Sequence, residues 1–387
     1  MLAEVRKNSY LCTMIANYGY RLPAEWEPQS GVQLTWPHAE TDWAPMLQEI
    51  TETYCEMARE IAKREPLLIV APEGEDLSEI SSLLFPMKTN DTWARDHGFI
   101  TLVPIEQDNS HTSHLVPRTS HLVPRTSVPP YPRTPASIKL LDFQFNGWGE
   151  KFEAELDNAL NRRLYDEGRV QGEYVDCLDF VLEGGSIESD GRGTIFTTTG
   201  CLMAPHRNQP LTQSQIEEEL KHRLGAERIV WINHGQLVGD DTDGHIDTLV
   251  RICPNDTLLY MGCDDPEDEQ YRELHLMEEE LRELRTLDGR PYRLLKLPMP
   301  RPIFEVRGTR YLERLPATYA NFLIINGAVL VPTYAQRDLD EEACRVIAKA
   351  FPDREIVPID SRSIIRQHGS IHCCTMQFPN GTLVIKN

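Results

Sequence analysis

The chain has 387 residues, a net charge of −21, 40% hydrophobic and 26% charged residues, which is the composition of a globular protein of one large domain or two. So large an acidic excess argues against nucleic acid as a partner, because such binding draws on Lys and Arg to neutralise phosphates. It suits a cationic small molecule steered inward by the summed field, although solubility alone would also account for it. The nine cysteines show no disulfide framework and no paired CxxC spacing, so the chain reads as reduced, soluble and cytoplasmic. No apolar run is long enough to span a membrane.

In chain order, residues 1–17 carry no pattern and read as an N-terminal extension. A strand over 32–36 is stopped by Pro37. Leu47, Ile50, Tyr54, Met57, Ala58 and Ile61 share one helical face over 45–64, and 67–70 is a buried-type strand. Strands over 99–103 and 138–145 flank a low-complexity stretch in which Thr112-Ser-His-Leu-Val-Pro-Arg is repeated from Thr119 and followed by prolines up to Pro135. Prolines remove backbone donors and favour extended chain, so 107–136 reads as an exposed surface insertion within a domain over 18–387. Helices are expected over 152–165, 216–224, 274–285 and 341–351, with Thr212 and Gln215 spaced as a capping box. Further strands are expected over 180–182, 194–198, 228–232, 249–252, 258–262, 322–325, 356–358, 372–377 and 383–385. Short strands mixed with helices of moderate length support an α/β or α+β class and no finer statement.

Four dense polar stretches stand out: Asn90 to Asp96, Leu182-Glu183-Gly184-Gly185-Ser186, Gly239 to Asp247, and His368 to Gln377 with its adjacent Cys373 and Cys374. Free cysteines are among the most buried residue types, and the cysteine segment alone reads more readily as structure. His245 and Asp247 are two apart and would share a face if the segment were a strand. The Asp-rich run lacks the glutamate that closes an EF-hand loop, and no His/Cys set has zinc-finger spacing, so no metal and no other cofactor is expected. A thiol, a histidine and several carboxylates without metal spacing suggest thiol chemistry on a cation. The acids would hold the positive substrate and the histidine would move protons.

Together with Ala24-Glu-Trp-Glu-Pro-Gln, Trp36-Pro-His, Phe143-Gln-Phe-Asn-Gly-Trp-Gly and Tyr319-Ala-Asn321-Phe, these stretches resemble the agmatine deiminase branch of the bacterial peptidylarginine-deiminase-type family, in the guanidine-modifying pentein superfamily. The resemblance runs from about Tyr18 to Pro379. It implies an α/β fold, a five-bladed pseudo-symmetric propeller of ββαβ-type units, and hydrolytic deimination of agmatine to N-carbamoylputrescine and ammonia. Carried over by resemblance, Cys373 is the nucleophile, His245 the general acid/base, Asp96 and Asp247 the guanidinium grip, and Glu183 the acid that orients His245. Trp93 and Asn321 are expected at the substrate, and Cys374 stands where the family has an apolar residue. Gly147-Trp148-Gly149-Glu150 replaces the arginines with which peptidylarginine relatives meet a C-terminal carboxylate, which favours agmatine. Peptidylarginine or another guanidine, amidinotransfer, and a non-catalytic guanidine-binding module are the alternatives. The resemblance leaves room for a homo-oligomer.

Overall fold

A computed structural model describes residues 19–105, 137–308 and 311–385. The expected extension over 1–17 and the proline-rich insertion over 107–136 lie outside the described residues. The run Leu67–Ala71 is buried at every position, as a strand covered on both faces must be. It pairs in parallel with Gln29–Thr35 on one side and Leu83–Pro86 on the other. Parallel neighbours need a crossover, supplied by the helix Leu47–Ala62, which buries Ile50, Tyr54, Met57, Ala58 and Ile61 against the sheet. Thr375–Pro379, near the end of the chain, lies antiparallel to Gln29–Thr35 and ties the two ends of the described chain together.

The same unit, an antiparallel strand pair followed by a helical crossover to a parallel strand, recurs four more times. Its strands are Ile100–Pro104, Lys139–Gln144 and Glu173–Val181; then Glu188–Ser189, Thr194–Thr198 and Arg228–Ile232. Val250–Cys253, Thr257–Met261 and Arg293–Leu297 follow, and then Leu323–Ile325, Ala328–Thr333 and Glu355–Asp360. The crossovers include Gln213–Leu224, Tyr271–Glu283 and Arg337–Ala348. Gln213–Leu224 starts with the expected Thr212–Gln215 capping box and ends at Gly225 with φ +65°. A further hairpin, Phe304–Arg307 with Tyr311–Arg314, stands outside this scheme. The fold is α/β, and no described helix is long and apolar enough to cross a membrane.

Three expectations are corrected. The helix over 152–165 is instead two short ones, Glu155–Asn158 and Leu160–Asp166, because Asp157 and Asn158 turn their side chains to accept from the backbone N–H groups of Asn90, Asp91 and Phe145. Residues 383–385 contribute only the bridge of Leu383 to Val170. The strand expected to start at His372 starts at Thr375; residues 371–374 form a turn in which the Cys374 N–H donates to Ser370 O and the Thr375 N–H to His372 O. Strand alternation therefore does not decide where the two cysteines point.

Candidate active site

The loop after Leu83–Pro86 is pinned at Asp91, whose two carboxylate oxygens accept from the indole N–H groups of Trp43 and Trp93, each at 2.9 Å. The single-turn helix Ala94–His97 then buries Asp96. Asp96 Oδ2 accepts from Trp148 Nε1 and Oδ1 from the Gly185 N–H, both at 3.0 Å. Trp148 reaches it from left-handed backbone (φ +56°) between Gly147 and Gly149 at +66° and +85°, a region open to glycine but costly for tryptophan.

Gly184–Ser186 is a 3-10 turn directly after Glu183. Gly184 and Gly185 make this tight turn without positive φ, and they also supply space. A Cβ on Gly185 would lie 2.6 Å from His245 Nδ1, 2.9 Å from Asp96 Oδ1 and 3.2 Å from Asp247 Oδ2. The space a side chain would fill at Gly185 is thus bounded by a histidine and two acids drawn from residues 96 to 247. Gly185→Ala must push these groups apart, and misplacement of that order costs about 100-fold in rate. Steady-state kinetics on a variant of unchanged circular dichroism check this.

Asp240 organises the Asp-rich loop: its carboxylate accepts from Thr242 Oγ1 at 2.7 Å and the Gly244 N–H at 2.6 Å. The loop is therefore closed by its own backbone and hydroxyl donors, in the manner of an Asx turn. His245 and Asp247 come together through the 3-10 turn Ile246–Thr248, not on one face of a strand as the spacing of two suggests. His245 is fully buried, with Nδ1 3.7 Å from Asp96 Oδ1. Burial opposes its charge, but Asp96, the neighbouring Cys201 and Glu183 outweigh that and hold the imidazole protonated well above its usual range. Glu183 Oε1 accepts from Arg207 Nε at 3.0 Å, while Oε2 has no partner among the described residues. Asp247 Oδ2 is 2.7 Å from His372 Nδ1, and Oδ1 has no partner among the described residues. Burial would raise the Asp247 pKa; His372, His245 and Arg251 overcome it and keep the group below its ordinary value.

Asn321 fixes the cysteine turn. Its Oδ1 accepts from the His372 N–H at 3.0 Å and the Cys373 N–H at 3.3 Å, and lies 3.4 Å from Cys373 Sγ. Asn321 therefore sits behind the sulfur and not on the cavity wall where the sequence reading puts it. Cys373 opens onto a narrow cavity of about 30 Å³, also lined by Asp42, Asp91, Trp93, Asp96, Trp148 and Asp241. The ring of Trp93 lies against Gly369, where a Cβ would collide with it. Cys374 is absent from that wall and is buried against Tyr54, its thiol pushed up to about 12 by burial. Burial first, then Asp247 and Asp96, also carry the Cys373 thiol well above its usual value. A larger cavity of about 420 Å³, bordered by Glu25, Arg95, Glu188 and His372, opens away from the sulfur.

Among the described residues, two sets of donor atoms lie close enough to ask whether they suit a metal: Glu183, Cys201 and His245, and Glu25, Glu188 and His372, each within 4.8 Å of one another. In the first, Arg207 already takes Glu183 Oε1, and His245 Nδ1 faces Asp96 Oδ1 at 3.7 Å. In the second, Arg251 already occupies both glutamates. Four residues that touch the site were not reached from the sequence. Trp148 carries a signal in its flanking glycines and His372 in its place beside Cys373; Cys201 and Arg207 carry none.

The family model for Porphyromonas-type peptidyl-arginine deiminase matches residues 21–379. The agmatine deiminase of Medicago truncatula is 30% identical over 386 residues, 94% of this chain and 97% of its own length. A cysteine-to-serine variant of the C. jejuni agmatine deiminase with substrate bound superposes with a TM-score of 0.79 at 36% identity, covering 94% of this chain and 97% of that one. The agmatine deiminase of Enterococcus faecalis gives 0.76 at 25% identity, over 94% and 96%.

Proposed function

The chain belongs to the Porphyromonas-type peptidyl-arginine deiminase family, and we propose that it hydrolyses agmatine to N-carbamoylputrescine and ammonia through a covalent intermediate on Cys373. The observation that supports this reading is that Cys373 and Asp96 share one acidic cavity, while His245, Asp96 and Asp247 converge around Gly185 and both acids act on the Cys373 thiol. A guanidinium is planar, permanently charged and rich in donors, and it suits two carboxylates, one of which keeps a buried oxygen unpaired. Between Asp96 and Asp247 the cation would offset the charges that hold the Cys373 thiol protonated, so substrate entry itself favours the thiolate.

In this mechanism the sulfur attacks the guanidinium carbon and the C–N bond to a terminal nitrogen breaks. Protonated His245 gives its proton to the departing ammonia, leaving an S-alkylthiouronium. The imidazole, now neutral, takes a proton from water as that water attacks the same carbon; the C–S bond then breaks and the ureido product leaves. Glu183 supports the charge on His245 from its far side, and Trp93 and Trp148 flank the entering chain.

The recurrence of the ββαβ unit in five sheets supports a five-bladed pseudo-symmetric propeller formed by a single domain over 18–387. For the substrate, Asp42, Asp91, Asp96 and Asp241 line the cavity, with no lysine or arginine among the described lining residues. That wall favours a distal ammonium over a carboxylate. Assays with agmatine, free arginine and a peptide ending in arginine test the reading. Agmatine should give ammonia and N-carbamoylputrescine in equal amounts, and a preference for the peptide would reject it. Amidino transfer to an added amine, with no ammonia released from agmatine alone, would point to the amidinotransferase chemistry instead.

A further inference from the structure

We propose that His372, the residue before the sulfur, is a positioning residue that fixes Asp247 for the guanidinium, as the middle link of a hydrogen-bonded chain from Glu25. This rests on the deiminase reading and deepens it. The ring is 1% exposed and both nitrogens are engaged, Nδ1 with Asp247 Oδ2 and Nε2 with Glu25 Oε2, each at 2.7 Å. Its backbone N–H is held by Asn321, the residue that also touches Cys373. Beyond it, Glu25 Oε2 accepts from Arg251 at 2.6 Å, and Arg251, fully buried, is fixed in turn by Glu188 and by Ala320 O. His372 thus leans away from the sulfur toward the 420 Å³ cavity and grips Asp247 from behind.

The consequence lies in the two oxygens of Asp247. His372 takes Oδ2, and Oδ1 is left fully buried with no partner among the described residues. A buried acceptor without a donor is expensive, and here the expense is met when a guanidinium N–H arrives. Without His372 the carboxylate could turn about χ2, whose wells are broad, and would lose a partner that keeps it ionised. The other charged or titratable groups coupled to Asp247 are His245, Asp96, Arg251, Arg95 and the Cys373 thiol, and the His372 substitutions whose pH profiles are compared below alter none of them.

Two amides separate this role from mere packing. In His372→Asn the side-chain NH₂ stands near the place of Nδ1 and can still donate to Asp247; in His372→Gln it reaches toward Nε2 and Glu25 only. His372→Asn should keep kcat/KM within about fivefold, whereas His372→Gln should lose about 10- to 100-fold, the usual effect of removing a partner that orients a binding group. The acid limb of kcat/KM should move to higher pH in His372→Gln alone, because an Asp247 that has lost its partner protonates sooner as pH falls. Equal losses in both variants with an unmoved limb, or full activity in both, would overturn the proposal. Calorimetric binding of agmatine to Cys373→Ala and to Cys373→Ala/His372→Gln reads the same role without turnover. Weaker binding in the double variant supports the assignment even if the wild type releases no ammonia, which would count against the deiminase reading instead; equal binding rejects the assignment.

Discussion

Cys373→Ala is expected to lower ammonia release from agmatine by at least about 10⁴-fold, the scale on which a covalent nucleophile is lost, while Cys374→Ala stays within a few fold of the wild type. The two sulfurs are neighbours in sequence but not in environment. Cys373 lines the acidic cavity beside Asp96, with Asn321 Oδ1 against its sulfur; Cys374 is fully buried in the apolar layer with Tyr54. Removing the second sulfur leaves a small void, so Cys374→Ala should lose stability on the order of 1 kcal/mol, read as a lower denaturant midpoint with unchanged slope. Cys373→Ala should unfold close to where the wild type does. Retained turnover in Cys373→Ala with loss in Cys374→Ala would move the chemistry to the other thiol.

The parts of the fold that the sequence expresses are those whose signal is local. The stripe from Leu47 to Ile61 repeats at the helical period, and Leu67–Ala71 is an unbroken apolar run, so both elements are legible without knowing their neighbours. Arg293–Leu297 reads Arg-Leu-Leu-Lys-Leu, without alternation, and runs from exposed at Arg293 to buried at Leu297, so nothing local separates it from loop. The site is legible as four polar stretches, but not as a geometry. A spacing of two between His245 and Asp247 fits a strand as well as the 3-10 turn that is found, because both bring such residues near one point. The turn that presents Cys373 depends on Asn321, which donates nothing to any local pattern and acts 52 residues away. Trp148 and Asp96 are likewise joined across 52 residues. Family resemblance connects such stretches by order, and only the packed chain shows which atom of each is free.

A cationic alkylating reagent should find Cys373 far faster than a neutral one of the same shape. With rates normalised to a free thiol, chloroacetamidine at neutral pH is expected to outrun chloroacetamide by about 100-fold or more. The reason is the sign of the charges around the sulfur. Burial, Asp247 and Asp96 all raise the thiol pKa, so a neutral reagent meets a protonated thiol at pH 7 and its rate should go on rising into alkaline pH. An amidinium seated between those carboxylates brings a positive charge to about 4 Å from the sulfur, worth about 4 kcal/mol at the effective dielectric of a partly shielded site. At 1.36 kcal/mol per pKa unit that is roughly three units of thiol acidity, so its rate should level off at lower pH. Asp96→Asn or Asp247→Asn should then move the two reagents in opposite directions. Removing a negative charge lowers the thiol pKa and speeds chloroacetamide, while it takes away half of the grip and slows chloroacetamidine. Rates of both reagents that rise together in these variants would mean that the carboxylates act on the sulfur alone and do not hold the cation; rates that fall together would reject their effect on the thiol.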